Sequence, residues 1–340
     1  MKHQSPKKVL FTFDYELFLG SNSGSFENCI SIPLDKILKL FSKNNLQIVF
    51  FLDVLYYETA KNQIHYKEEF HKLQTQLIQL LQQGHIIFPH IHSHWLDAEY
   101  QLNTKTWNLS NTTKYRFQSI NENLKKEIFD LSINTIKELQ EMSNVFYPIH
   151  SFRAGGWCIQ PFEDFKPYFK KYGIKYDLSV IPGHHYVGEI QQYDFSNIKE
   201  TNLYKFENDP NEINLKGSFT EIPITTYSWN LKFFTKLNKI NTVLRDKTNL
   251  KHFKYFGDGK IANHSGEKFT PKEIGNLSIE NLNWITFFKY LVTTYKSDFV
   301  HFISHSKTIT PHNLVFLKLY LKFLRKFFKV KNNYFEIIKS

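Results

Sequence analysis

Short apolar runs alternate with helical patterns along most of the chain, and this alternation limits the fold more than any other feature. "KVLFTFDYE" (8–16) is rich in β-formers, and "PLDKILKLFSKN" (33–44) carries apolar residues at helical spacing with Pro33 in its first turn. "QIVFFLDV" (47–54) reads as a buried strand, 66–83 as a helix and "HIIFPH" as a strand again. A long amphipathic helix follows at 121–142, then "PIHSFRAGG", a helix near 161–172, "YDLSVI" and "EIPITTY". "FVHFISHS" (299–306) is a late strand, and 311–329 a C-terminal helix. Strand–helix alternation on this scale predicts an α/β fold with a parallel sheet, open or closed into a barrel. There is no internal repeat, and 1–340 reads as a single domain. With 33 Phe and 19 Tyr, material for a large core is at hand. The polar, glycine-bearing stretch 245–275 is expected to be a surface insertion lying over a site.

The net charge is +11, from 43 Lys and Arg against 32 Asp and Glu. Such an excess can serve nucleic acid, an anionic membrane or a phosphorylated substrate. A chain rich in Lys, Asn, Ile, Phe and Tyr acquires it without any partner, and most of the excess is assigned to composition. No nucleic-acid partner is expected. In the helix 311–329, Lys318, Lys322, Arg325 and Lys329 form a basic stripe, and Leu317, Leu321, Leu324 and Phe328 an apolar one. The apolar stripe is read as core and the basic one as a solvated face near a phosphate-bearing lipid carrier. Cys29 and Cys158 are too few for a disulfide framework or a cysteine-based zinc site. "MKHQSPKKVLFTFDYE" lacks the apolar core of a signal peptide, and no run reaches transmembrane length. A cytoplasmic, soluble protein is expected, with peripheral contact at the inner face of the membrane left open.

In parallel α/β folds, sites form at the carboxyl ends of the strands. Four such ends carry reactive side chains. "TFDYE" places Asp14 and Glu16 at i and i+2, hence on one side of a strand. "FPHIHSH" offers His90, His92 and His94, "SFRAGGW" offers Arg153 before two glycines, and "HFISHS" offers His305. Each has an ordinary rival, such as an exposed acidic strand end, a polar histidine cluster, a surface arginine or a half-buried histidine. The four coinciding at one end of four strands favours a site. Spacing alone leaves the metal-binding pair open. On a strand, His90 and His94 stand roughly 13 Å apart at about 3.3 Å per residue, which favours His90/His92 or His92/His94. In a helical turn, residues i and i+4 are neighbours, which favours His90/His94.

The order of these segments resembles the polysaccharide deacetylase superfamily (carbohydrate esterase family 4, with nodulation-type deacetylase homology), in a divergent "FDxE" branch. "TFDYE" resembles its first motif, and "GHIIFPHIHSH" (84–94) its second through Gly84, His85, Ile87, His90, Ser93 and His94. "FRAGGW" holds the arginine of the third, "YDLS" (176–179) resembles a later element, and His305 stands for the final histidine. The resemblance covers roughly 8–330 and includes a family-like "EIP" at 221–223. It implies an irregular parallel (β/α) barrel of seven strands and hydrolysis of an N-acetylated sugar with one divalent metal, Zn²⁺. It makes Glu16, His90 and His94 the metal ligands, Asp14 the general base paired with Arg153, and His305 the general acid. Trp157, Asp177 and His92 become candidate substrate contacts. The expected substrate is an N-acetylated saccharide, nucleotide- or lipid-linked, from surface polysaccharide or lipopolysaccharide synthesis. Rival readings are a ring-amide (ureide) hydrolase of the same superfamily and a non-catalytic sugar binder.

Overall fold

The computed structural model describes residues 6–228, 239–240, 242–244, 250–262, 265–271 and 273–339. At its centre is one sheet of nine strands. In chain order these are β1 (Lys7–Tyr15), β2 (Val49–Asp53), β3 (Ile86–Ile91), β4 (Ser151–Ala154), β5 (Tyr176–Asp177), β6 (Tyr204–Phe206), β7 (Phe219–Glu221), β8 (Phe299–His305) and β9 (Val330–Lys331). The lateral order is β6-β7-β5-β4-β3-β2-β1-β8, with β9 beside the start of β1. All neighbours run parallel except β6 and β7. Between β7 and β8, irregular chain carries the hydrogen bonds. Thr225 N–H donates to the His301 carbonyl at 3.1 Å, and Ile303 N–H to the Leu277 carbonyl at 3.1 Å. The sheet thus curls as a parallel barrel would. It holds nine strands rather than the expected seven, the short β6 and β9 lying at its margins.

Helices α1 (Ile32–Ser42), α2 (Val54–Asn62), α3 (Lys67–Gln82), α4 (Glu122–Ser143), α5 (Lys166–Tyr172), α6 (Thr286–Lys296) and α7 (Pro311–Phe327) connect the strands, and α8 (Tyr334–Ile338) follows β9. Their ends follow capping chemistry. Asn121 accepts from the Leu124 N–H at the start of α4, and Asn144 ends it in the left-handed region. Thr310 and Asn313 cap α7 reciprocally, and Pro311 opens it. Leu317, Leu321 and Leu324 are buried as expected, while Phe328 is half-buried just beyond the helix. No helix among the described residues is long and apolar enough to cross a membrane.

Strand alternation sorts the side chains into two cores. Val9, Phe11 and Phe13 of β1 pack outward with Phe50, Leu52 and the helices. Leu10, Val49, Phe51, Ile86, Phe88 and Phe299 face the lumen, whose amino end is closed by Tyr334 and Ile337 of α8. Each fully buried aromatic contributes about 1.5–3 kcal/mol, so the lumen floor is a substantial share of the stability. Above that floor the same registers turn polar. Thr12, Asp14 and Glu16 continue Leu10. Asp53 continues Phe51. His90 and His92 continue Phe88. His301 and His305 continue Phe299. A site at the carboxyl end of the sheet follows from this ordering.

Candidate metal centre and active site

Glu16, His90 and His92 bring one ligand atom each to within 4.8 Å of one another, and all three are buried. Glu16 Oε2 lies 2.7 Å from His92 Nε2 and 3.4 Å from His90 Nε2. His90 donates its Nδ1–H to the Arg153 carbonyl at 2.8 Å, so its Nε2 presents a lone pair to the cavity. That Nε2 is buried and has no hydrogen-bond partner. A backbone bond that fixes the tautomer and leaves the other nitrogen bare is the usual support of a metal-bound imidazole. One carboxylate and two imidazoles are also donors that suit Zn²⁺ or a similar ion, with coordination positions left open. The residues present therefore fit a divalent metal.

This trio differs from the expected one. His94 does not join it. The strand runs to Ile91, and His92 is still extended (φ −116°, ψ 97°), so His90 and His92 share a face. The turn that could have brought i and i+4 together starts only at Ser93. His94 sits in that turn, buried, with its ring stacked on Tyr115 at 5.3 Å. Burial, followed by the nearby His92, pushes its pKa well below the usual value. His92, expected to touch substrate, is the second imidazole of the trio. The glycines after Arg153 serve that geometry. A Cβ on Gly155 would lie 2.3 Å from the Ile91 carbonyl oxygen and 2.8 Å from His92 Nδ1.

Asp14 stands beside the trio, 4.0 Å from His90 Nε2. Its Oδ1 accepts from Arg153 Nη1. Burial works against its charge, but Arg153, His90 and His305 override it and hold the carboxyl well below the usual range. Arg153 is wholly buried. It also donates to the Leu178 carbonyl at 2.9 Å and to Thr12 Oγ1 at 2.8 Å, and lies 4.2 Å from the centre of the Phe51 ring. This fixes the guanidinium in one place. On the other side of the carboxylates, His305 Nε2 lies 3.5 Å from Asp14 Oδ2 and 3.6 Å from Glu16 Oε1. His305 Nδ1 is 2.9 Å from Glu280 Oε1. Burial lowers its pKa, but bonds to Asp14 and Glu280 outweigh that and raise it to about 10. Lys307 donates to Glu16 Oε1 at 2.8 Å and to the Leu17 carbonyl at 2.6 Å. Glu16 is held well below the usual range because Lys307 and His92 overcome its burial.

These groups open into a cavity of about 460 Å³ that Tyr115, Trp157, Tyr255, Asn276, Ile261 and Ala262 help to line. Trp157 stands at its wall, edge-on to His305 at 6.4 Å. Tyr255, Ile261 and Ala262 belong to the stretch expected over the site. Residues 245–249, 263–264 and 272 of that stretch lie outside the described residues. Asp177 does not reach the cavity. Register sets it level with Phe152, one residue out of phase with Arg153, so it lies on the outer face of the sheet. It is fully buried there, bonded by Ser179 and level with Glu221.

Asp53, Glu280 and Lys307 escaped the sequence reading. Asp53 ends β2 level with His90, is buried, and neither carboxylate oxygen has a hydrogen-bond partner. Burial raises its pKa to about 6 against the pull of His92 and His90. The signal was present, since Asp53 is a lone charge closing the apolar run "VFFL". Glu280 arrives from a connection with no motif, and nothing local marked it.

No protein-family model matches the chain, and no curated protein does. Solved structures do. A GH57-type branching enzyme from the hyperthermophilic archaeon Pyrococcus horikoshii matches 98% of this chain and 70% of its own, at 10% identity and a TM-score of 0.52. The fold is shared with that enzyme. A Mycobacterium smegmatis protein classed as a polysaccharide deacetylase matches 99% of this chain and 91% of its own, at 13% identity and a TM-score of 0.48. An allantoinase matches 99% and 93%, at 12% identity and a TM-score of 0.48.

Proposed function

We propose that this protein is a divergent member of the polysaccharide deacetylase superfamily, a metal-dependent hydrolase that removes an N-acetyl group from a sugar. The observation that carries this reading is the convergence in one cavity of three parts. They are the buried Glu16–His90–His92 trio, an Asp14 carboxylate held ionised by Arg153, and a His305 held protonated against Glu280. Glu16, His90 and His92 would hold one divalent ion, which supplies Lewis acidity for the acetyl carbonyl and for an attacking water. Asp14 accepts the proton of that water, because Arg153 keeps it a carboxylate. His305 donates a proton to the departing sugar nitrogen, and Glu280 holds the ring in place through Nδ1. Asp53, level with His90, adds a buried carboxyl group beside the two histidines. Trp157 offers an apolar wall to a sugar face. A cytoplasmic intermediate of surface polysaccharide synthesis, nucleotide- or lipid-linked, is the substrate class proposed. The test is acetate release from a panel of N-acetylated nucleotide sugars and lipid-linked saccharides, with and without chelator. Chelator-sensitive acetate release supports the reading. Turnover of a cyclic ureide instead would move the protein to ring-amide hydrolysis.

A further inference from the structure

The outer face formed by α6 and α7 is unlike the rest of the barrel exterior. In and just before α6, Trp284, Phe288, Val292 and Tyr295 stand on one helical stripe, and all are exposed, Phe288 to 68% and Tyr295 to 66%. On α7, Val315, Leu319 and Phe327 are exposed as well. The two helices lie side by side. Phe287 meets Phe316 at 5.6 Å, Tyr295 meets Phe328 at 6.3 Å, and Phe328 meets Phe323 at 5.6 Å. Those rings fill the seam between the helices, so the two exposed stripes belong to one apolar surface. A soluble monomer seldom exposes a contiguous patch of this kind without using it.

The charges on the same two helices are of one sign. Lys289, Lys296, Lys318, Lys322, Arg325 and Lys326 are present, and neither helix contains an Asp or Glu. A face meant for a second copy of the chain would set these six cations against themselves. Aromatic and aliphatic side chains between lysines, with no carboxylate, suit a surface that is apolar inside and anionic at its boundary. We infer that α6 and α7 form a docking face for an anionic phospholipid bilayer, with Phe288 and Val292 entering the acyl boundary and the lysines meeting lipid phosphates. This goes beyond the hydrolase reading and does not depend on it.

The test is co-sedimentation of the full chain with mixed phosphatidylglycerol–phosphatidylcholine vesicles and with pure phosphatidylcholine vesicles. Binding to the mixed vesicles at low salt is expected, with little to the neutral ones and a loss as salt rises. Two variants divide the face. Phe288→Ser with Val292→Ser removes apolar contact, and Lys318→Glu with Lys322→Glu reverses charge. Each should weaken vesicle partitioning about tenfold or more. All four positions are exposed, and an unchanged circular dichroism spectrum and metal content would show that the fold is kept. Absence of binding to the mixed vesicles overturns the inference. So does unaltered binding of both variants. Dimerisation of the wild type that Phe288→Ser with Val292→Ser abolishes, with no vesicle binding, would make the face a protein interface instead.

Discussion

The two faces of the sheet each bury a pair of carboxyl groups, and they treat them in opposite ways. On the lumen side, Asp14 and Glu16 are buried beside Arg153, Lys307, His90, His92 and His305, and both are held well below the usual carboxylate range. On the outer side, Asp177 and Glu221 are fully buried and level with each other across β5 and β7, and neither makes an ion pair among the described residues. Burial raises Asp177. Burial and Asp177 together raise Glu221 well above its ordinary value. Both pairs are buried, and what separates them is how many cations stand close by. The lumen pair is kept charged and open to a cavity, as the proposed ligand and base would require. The outer pair is held above the ordinary carboxylate range, in a setting that favours the neutral form.

The largest effect should come from removing the cation. Arg153→Met leaves Asp14 buried and unpaired, and breaking such a pair costs about 3–5 kcal/mol. Urea denaturation should register that loss together with near-complete loss of activity. An unchanged midpoint would mean that Arg153 is not what holds Asp14 ionised. Next in size, Asp14→Asn removes the proton acceptor while keeping size, and general-base catalysis is worth about 10²–10⁴-fold. Turnover should fall by that factor while metal content stays at the wild-type level. Metal lost along with rate would show Asp14 to be a ligand. The smallest effect is on the outer pair. Both groups hold folded-state pKa values above their unfolded ones, so the stability they contribute is complete below the ordinary carboxylate value of about 4 and is lost as pH rises through their raised values. Asp177→Asn with Glu221→Gln should therefore leave activity intact and flatten the dependence of stability on pH above that value. An unchanged dependence in the variant would mean that the pair is ionised in the native protein.

The same comparison shows what a sequence can disclose. Alternation along "VLFTFDYE" fixes that Asp14 and Glu16 share a face with Thr12 and Leu10, and the structure keeps that phase. Arg153 and His305 were legible for the same reason, each ending an apolar run. Asp177 also ends one, but its phase relative to Arg153 is set by strand pairing, which no local pattern reveals. The choice between His92 and His94 depended on where β3 stops, and strand ends are set by the neighbours of the chain as much as by its own residues. The resemblance made His90 and His94 the ligands, a pair that spacing favours only in a helical turn, whereas extended backbone persists through His92. Glu280 was invisible because it meets His305 by tertiary approach alone, from a connection 25 residues away in sequence. The parallel sheet was legible in the alternation, which left open whether it curls. The irregular hydrogen bonds at Thr225 and Leu277, which stand in for strand pairing, were not.

The central claim is that a divalent metal is held by Glu16, His90 and His92 at the carboxyl end of the sheet. Metal analysis of the purified wild type, His92→Ala and His94→Ala, prepared side by side, tests it most directly. The wild type should carry one ion per chain, His92→Ala should lose most of it, and His94→Ala should keep it. Full occupancy in His92→Ala with loss in His94→Ala would contradict the trio and place the second imidazole one turn further along the chain.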